Sequence, residues 1–181
     1  MMVNRAQSIV FFQEELKKEI EEITKDMLFQ QPGTEELARV RVFKQALPIP
    51  QNKLVKADST ETIEYAEELE EDTVFQCPWC LIKLDGGAAK GIGESQEADV
   101  AICFGVYNPS TENQGHIEIL NLIQKVYERF AVNESLAEKY FCKGNFEWAL
   151  QDEDTYPYFF GAISTSFSFQ GFQREDRYGF A

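Results

Sequence analysis

The N-terminal part of the chain carries apolar residues at spacings of three and four, with charged residues between them. The apolar positions are Ile9, Phe12, Leu16, Ile20, Ile23 and Met27. This period places them on one face of a helix and leaves glutamates and lysines on the other. The pattern predicts an amphipathic N-terminal helix within residues 4–31, ended by Pro32 and Gly33.

Three segments downstream have the pattern of β-strands. Residues 39–44 alternate charged and apolar side chains, which predicts an edge strand with one wet face, closed by Pro48 and Pro50. Residues 74–84 and 99–107 are apolar runs of the kind that form buried strands. Because these two runs follow each other with a glycine-rich loop between them, we expect them to pair antiparallel.

The loop between the two apolar runs is rich in glycine. It contains Gly86, Gly87, Lys90, Gly91 and Gly93, which predicts a turn or a mobile hairpin tip. A phosphate-binding loop would need serine or threonine after the lysine and then a helix. Lys90 is followed by glycine and then by a strand, so a hairpin loop is the better interpretation.

The C-terminal half combines one long helical pattern with further strands. Its helical face consists of Ile119, Leu120, Leu122, Ile123, Val126, Tyr127 and Phe130. Residues 145–150 and 161–170 return to extended structure, and the second of these alternates with period two. The whole pattern predicts an α+β fold within one domain, residues 1–181. We expect a mostly antiparallel sheet of four to five strands, packed by the N-terminal helix and the long helix, with a C-terminal tail at 171–181.

Composition limits the classes of partner. The chain has 181 residues, and its formal net charge of -14 argues against sequence-independent binding to a nucleic-acid backbone. The N-terminus lacks the pattern of a signal peptide, and no stretch approaches the ~20 apolar residues of a membrane span. We therefore expect a cytosolic protein whose four cysteines stay reduced, with no membrane partner.

Much of the negative charge is concentrated in residues 58–72, where no lysine or arginine occurs. The acids are Asp58, Glu61, Glu64, Glu67, Glu68, Glu70, Glu71 and Asp72. Such a run ordinarily forms a solvated loop or a frayed helix. The alternative is an acidic docking or channel surface, for which the candidates are Glu64, Glu67, Glu68, Glu70, Glu71 and Asp72.

The cysteines and the single histidine give no catalytic constellation. A redox pair at Cys77 and Cys80 would need a helix N-terminus to stabilise the thiolate, whereas the motif continues into a strand. A zinc site would need further ligands from Cys103, Cys142 or His116, and no second paired motif occurs. We therefore predict no enzyme activity, no cofactor and no metal, and interpret the cysteine motif as core.

The succession of segments resembles a family of small tail-assembly proteins of long-tailed bacteriophages, the tail terminator or tail-completion proteins. Six segments carry the resemblance: 40–48, 77–84 (Cys-Pro-Trp-Cys-Leu-Ile-Lys-Leu), 104–107 (Phe-Gly-Val-Tyr), 119–123, 146–148 (Phe-Glu-Trp) and 156–161 (Tyr-Pro-Tyr-Phe-Phe-Gly). By the order of these segments the resemblance spans residues 40–170, about three quarters of the chain. The acidic run at 58–72 and the cysteines in place of aliphatic residues depart from the family pattern.

The resemblance implies a subunit of a ring, commonly a hexamer, at the end of the tail tube. Such a ring stops tube polymerisation and presents a surface to the head connector, within a virion assembled in the bacterial cytoplasm. A ring needs two different faces that meet head to tail. Our candidates for contacts with a neighbour or the tube are Gly86, Gly87, Lys90, Gly91, Gly93, Arg39 and Arg41.

Two alternatives to a tail terminator stay open. The first is another neck protein, such as a head-tail connector or stopper. The second, from a different class, is a zinc or redox protein that uses Cys77 and Cys80. In the ring hypothesis DNA passes through without specific binding, and we expect the acidic excess to line or flank the channel, where repulsion prevents sticking.

Overall fold

The computed structural model describes residues 8–49 and 77–173. The helices in these ranges are α1 (Ile9–Thr24) and α2 (His116–Val132). The strands are β1 (Leu28–Gln30), β2 (Leu37–Arg39), β3 (Arg41–Lys44), β4 (Trp79–Ala89), β5 (Gln96–Tyr107), β6 (Ser135–Leu136), β7 (Tyr140–Cys142), β8 (Glu147–Leu150) and β9 (Tyr158–Phe169). This is an α+β arrangement with an N-terminal helix and one long helix between strands, as the sequence predicts.

Within the described residues the main sheet has seven strands, in the order β3-β4-β5-β9-β7-β6, and β8 also pairs with β9. Strand β3 is parallel to β4, and every other pair is antiparallel. The predicted number of four to five strands was therefore too low. Strands β6 and β7 have only two and three residues, which is too short for a period-two pattern to be recognised.

The N-terminal helix is shorter than predicted. The Ser8 side chain accepts a hydrogen bond from the Phe11 N–H at 3.4 Å and so caps the start of α1. At the other end the Thr24 hydroxyl donates to the Ile20 carbonyl at 2.7 Å, and the helix ends there. The following residues form β1, which pairs with β2 in a small two-stranded sheet instead of continuing the helix to residue 31.

The predicted strand at residues 39–44 is divided into two. Leu37–Arg39 belongs to β2 in the small sheet, and Arg41–Lys44 forms β3 in the main sheet. Val40, between them, is buried. Among the described residues β3 pairs only with β4, which agrees with the predicted edge position.

The β4–β5 hairpin is antiparallel as predicted, but it is longer than the sequence pattern suggested. Strand β4 passes through Gly86 and Gly87 after a shift of register at Leu84, so these glycines lie in the strand and not in the turn. A Cβ atom added to Gly87 would lie 2.5 Å from the Glu97 carbonyl oxygen. Glycine therefore permits the close approach of the two strands. The turn includes Gly93, whose φ of 90° favours glycine.

Both helices pack on one face of the main sheet. The side chains of this core alternate along the long strands and follow one stripe of each helix; they include Phe12, Leu16, Ile20, Ile82, Val100, Ile102, Phe104, Ile119, Leu122, Val126, Ile163, Phe167 and Phe169. The ring of Phe12 lies 5.2 Å from that of Tyr140 and 4.9 Å from that of Phe167, measured between centroids. Phe12 thus joins α1 to the far side of the sheet.

The opposite face of the sheet carries mostly small side chains. In β5 and β9 it presents Ala101, Cys103, Gly105, Ala162, Ser164, Ser166 and Ser168. The rings of Trp79 and Phe160 meet beside Gly105 with centroids 6.0 Å apart, and a Cβ atom on Gly105 would overlap the indole. Larger side chains flank these small residues, among them Leu81 and Lys83 in β4 and Phe141 in β7.

The turn at Tyr156 and Pro157, just before β9, is hydrogen-bonded to the segment that leads into α2. The Tyr156 hydroxyl donates to the Pro109 carbonyl at 2.7 Å, and the Asn108 N–H donates to the Pro157 carbonyl at 2.9 Å. The corner thereby attaches the β8–β9 connection to the segment that leads into α2. His116 is the first residue of α2, in the helix turn where the sequence places it.

Candidate assembly surfaces

The far half of the β4–β5 hairpin is exposed along its β4 strand and its loop. We call residues 86–98 the hairpin arm. Its residues from Gly86 to Ser95 are exposed, and Ile92 near the tip keeps 58% of its surface accessible. Beneath it lies an open cleft of ≈ 440 Å³ bounded on the helix side by Ile9. An arm with small side chains and one exposed aliphatic residue has the form of a contact surface.

The candidate residues Gly86, Gly87, Lys90, Gly91 and Gly93 all lie in this arm. The first two are in β4, where they allow the strands to approach, and the other three are in the loop. Arg39 and Arg41 are not with them: Arg41 pairs with Trp79 at the opposite end of β4, roughly 30 Å along the strand from Ala89 at the usual rise per residue. The predicted interface residues therefore form two separate groups.

The loop of the arm is held by the segment that follows β9. The Gly93 N–H donates to the Phe172 carbonyl at 2.7 Å, and the Gln96 side chain donates to the Gln170 carbonyl at 3.2 Å. Gly171 is buried between these contacts, where a Cβ atom would overlap the Glu94 carbonyl. The loop of the arm is thus attached to residues 170–172.

Ion pairs also connect residues of the arm to each other and to a neighbouring segment. The Glu97 carboxylate lies 3.1 Å from the Lys143 ammonium and 3.7 Å from that of Lys90. The hydrogen bond and the charge of Lys143, with a smaller contribution from Lys90, lower the pKa of Glu97. On the same face the Ser166 hydroxyl donates to the Asp99 carboxylate at 2.6 Å. Polar contacts therefore link the arm to β9 and to the segment after β7.

The two arginines belong to a second surface, at the edge formed by β3. A shallow cleft of ≈ 380 Å³ lies between β3 and the end of α1, and its lining includes Lys25, Arg39 and Arg41 with one carboxylate, Glu21. Both arginine side chains are exposed. We call this surface the basic cleft. Three cations and one carboxylate line it in a chain whose net charge is -14, and the Lys25 ammonium also pairs with Glu22.

A third surface was not among the predicted sites. Asp152, Glu153 and Asp154 follow β8 directly and are exposed; we call residues 151–154 the acidic loop. They line a cleft of ≈ 410 Å³ together with His116. Three consecutive acids before the Tyr156 corner are visible in the sequence, but they form a much shorter run than the acids at 58–72. Glu64, Glu67, Glu68, Glu70, Glu71 and Asp72 lie outside the described residues.

The cysteine motif is part of the core. Cys77 and Cys80 are both buried, and burial raises the pKa of Cys77 to about 12 and that of Cys80 well above its usual range. A reactive thiolate requires the opposite shift. Within residues 8–49 and 77–173 no group of three or more histidine, cysteine or acidic residues is placed to hold a metal ion. The raised pKa values disfavour the redox alternative.

The sequence comparisons add no assignment: no protein-family model matches the chain, and no curated protein matches it with significant similarity. In the part of the chain that the structure describes, no helix is long and apolar enough to cross a membrane. A function therefore has to be inferred from the surfaces of the chain itself, namely the hairpin arm, the basic cleft and the acidic loop.

Proposed function

We propose that this chain is a structural virion protein of a long-tailed bacteriophage, one subunit of a ring that caps the tail tube. The ring ends tube polymerisation and joins the tail to the head connector. Its partners are copies of the same chain, commonly six in the family that the sequence resembles, the tail tube protein and the connector. The observation that carries this proposal is the hairpin arm, whose residues from Gly86 to Ser95 are exposed, with Ile92 near its tip.

An exposed arm suits a subunit of an assembly. The hairpin is anchored in the sheet, since residues 96–98 of the arm pair with residues 167–169 of β9, whereas the β4 strand of the arm and its loop are exposed. Glycine and alanine in Gly86–Ala89 allow a neighbouring backbone to approach closely. An arm of this kind gains apolar contacts only when a partner covers Ile92.

The order of elements gives further support. The edge strand β3, the long hairpin, helix α2 and the pair β8–β9 contain, in order, the segments that carry the family resemblance. The two sides of the sheet also differ, since the basic cleft lies beside β3 and the acidic loop follows β8. A ring needs such a pair of unlike faces.

The net charge of -14 fits a ring through which DNA passes without binding. Acidic side chains repel the phosphate backbone, so a channel flanked by them does not retain DNA. In the proposed ring the acidic residues therefore let DNA pass through the channel without binding it.

Electron microscopy of the purified protein mixed with tail tubes of the same phage tests the proposal. We expect rings at one end of each tube and no further growth when tube protein is added. The variant Ile92→Asp should fold normally and cap fewer tubes, whereas Val132→Asp, at an exposed position on α2, should cap them as the wild type does.

Binding along the sides of tubes, or no binding at all, would contradict the cap. A ring that binds the head connector while tubes continue to grow would identify a connector or stopper of the neck instead. Stoichiometric zinc in the purified protein would favour the metal-binding alternative.

A further inference from the structure

We infer that neighbouring subunits join through the acidic loop of one copy and the basic cleft of the next. This contact rests on the proposed ring function, in which each subunit must offer two different surfaces to its neighbours. The structure assigns these surfaces to opposite edges of the main sheet. The occupant of each basic cleft is thus a second copy of the same chain.

The basic cleft has the charge and shape to receive carboxylates. Lys25, Arg39 and Arg41 line it, and guanidinium groups bind carboxylates with two parallel hydrogen bonds when the geometry permits. The Arg41 and Gln45 N–H groups donate to carbonyls on the β4 side, at Pro78 and Ile82. Because hydrogen-bonding direction alternates along a strand, the backbone of Val42 between them points away from β4, toward the edge.

The acidic loop has the matching properties. Asp152 and Glu153 are exposed, and none of the ion pairs within the described residues involves them. Asp154 is also exposed and accepts a hydrogen bond from the Tyr156 N–H at 3.2 Å, which fixes the end of the loop. No lysine or arginine lines the cleft at this loop. The carboxylates therefore gain cationic partners when a basic surface docks on them.

Strand β8, which precedes the acidic loop, offers outward-facing backbone groups and an exposed aromatic side chain. The Gln151 N–H donates to the Phe160 carbonyl at 3.0 Å, so the alternate residues Trp148 and Leu150 turn their backbone groups away from β9. The Trp148 side chain is 60% exposed on the same strand. Tryptophan and arginine are the residue types that contribute most to subunit contacts. An exposed indole on the strand that leads into the acidic loop thus completes the face opposite the basic cleft.

The relative position of the two surfaces favours contact between copies. Strand β3 lies at one end of the strand order, whereas β8 lies on the outer side of β9, so that β4, β5 and β9 separate β3 from β8. The loop of a subunit is therefore separated from its own cleft by the width of the sheet. Repeating the same contact from copy to copy uses both surfaces once in every subunit, as a closed ring requires.

Charge reversal tests this contact. One variant carries Arg39→Glu and Arg41→Glu, and a second carries Asp152→Lys and Glu153→Lys. We expect each to weaken subunit association at least ~tenfold in sedimentation and native mass spectrometry, because like charges then face each other. An equimolar mixture of the two should assemble again, into rings with an even number of alternating subunits. A chain with all four substitutions should form rings by itself.

Matched controls separate this contact from general effects of charge. Lys125→Glu with Lys139→Glu, and Glu134→Lys with Glu138→Lys, change the net charge equally at exposed positions elsewhere and should leave association unchanged. Circular dichroism verifies that every variant is folded.

The outcomes distinguish this contact from the ring itself. If wild type and both reversal variants form equally stable rings, or if the mixture fails to restore assembly, the contact is refuted while the ring function stands. If the wild type stays monomeric at every concentration, alone and on tail tubes, the ring function is refuted and the contact with it.

Discussion

The two halves of the β4–β5 hairpin have the same backbone pairing and opposite surroundings. In the half next to β3, Ile82, Ile102 and Phe104 are fully buried under the helices. In the arm, the β4 residues are Gly86, Gly87, Ala88 and Ala89, and they are exposed, whereas Ala98 of β5 is buried. One hairpin thus lies in the centre of the core at one end, while at the other end its β4 strand and loop are exposed.

The two halves of the hairpin are stabilised by different interactions. Apolar side chains stabilise the buried half, where each fully buried large side chain contributes about 2–3 kcal/mol. In the arm the strands are held by backbone hydrogen bonds, by the close approach at Gly87 and by ion pairs at Glu97. We therefore expect substitutions in the two halves to differ in size and in kind.

The largest effect is expected in the core. Phe12→Ala removes a ring that contacts Tyr140, Phe167 and Phe169, and we expect a loss of about 3–5 kcal/mol in the free energy of unfolding. The neighbouring Phe11 is 66% exposed, so Phe11→Ala is the matched control and should change stability by less than ~0.5 kcal/mol. Urea unfolding measures both; equal effects would refute this placement of α1.

An intermediate effect is expected at the base of the arm. Gly87→Ala places a Cβ atom 2.5 Å from the Glu97 carbonyl oxygen, which forces the strands apart at a cost of about 1–3 kcal/mol. Gly86→Ala meets nothing within 4 Å and should be neutral or slightly stabilising. Hydrogen exchange should show faster exchange of arm amides in Gly87→Ala only. Equal protection in both variants would contradict the pairing described here.

The smallest effect is expected at the ion pairs of Glu97, and it should depend on pH. The lysines lower the pKa of Glu97 in the folded state, so its charge stabilises the fold above the unfolded value of about 4.3. This contribution disappears as the pH falls through the lower folded value. The difference in melting temperature between wild type and Glu97→Gln should therefore be largest near neutral pH and vanish in acid. Glu134→Gln, at a carboxylate outside the described ion pairs, should show no such change.

The sequence predicted long elements better than short ones. Helix α2 and strands β4, β5 and β9 have 11 to 17 residues, so their periodic patterns are clear. Strands β6 and β7 were missed because tertiary pairing, and not local pattern, defines segments of two or three residues. Gly86 and Gly87 were assigned to a turn because glycine is typical of turns, whereas here it permits two strands to come close.

The candidate surfaces, too, could be predicted only in part from the sequence. The sequence indicated the glycine loop and the two arginines as candidates. It did not indicate that they lie at opposite ends of β4. It overlooked Asp152, Glu153 and Asp154 because their importance comes from position, at the edge opposite the basic cleft. Which charges face a neighbour depends on strand order, and strand order is set by long-range pairing.

Gly171 packs directly against the Glu94 carbonyl, so the segment after β9 lies in contact with the loop of the arm. Any side chain at this position would push the loop away and break the hydrogen bond between Gly93 and Phe172. The segment after β9 therefore acts as a brace that sets the angle at which the arm leaves the body. In a ring this angle, repeated in every subunit, would determine how far each arm overlaps the next protomer.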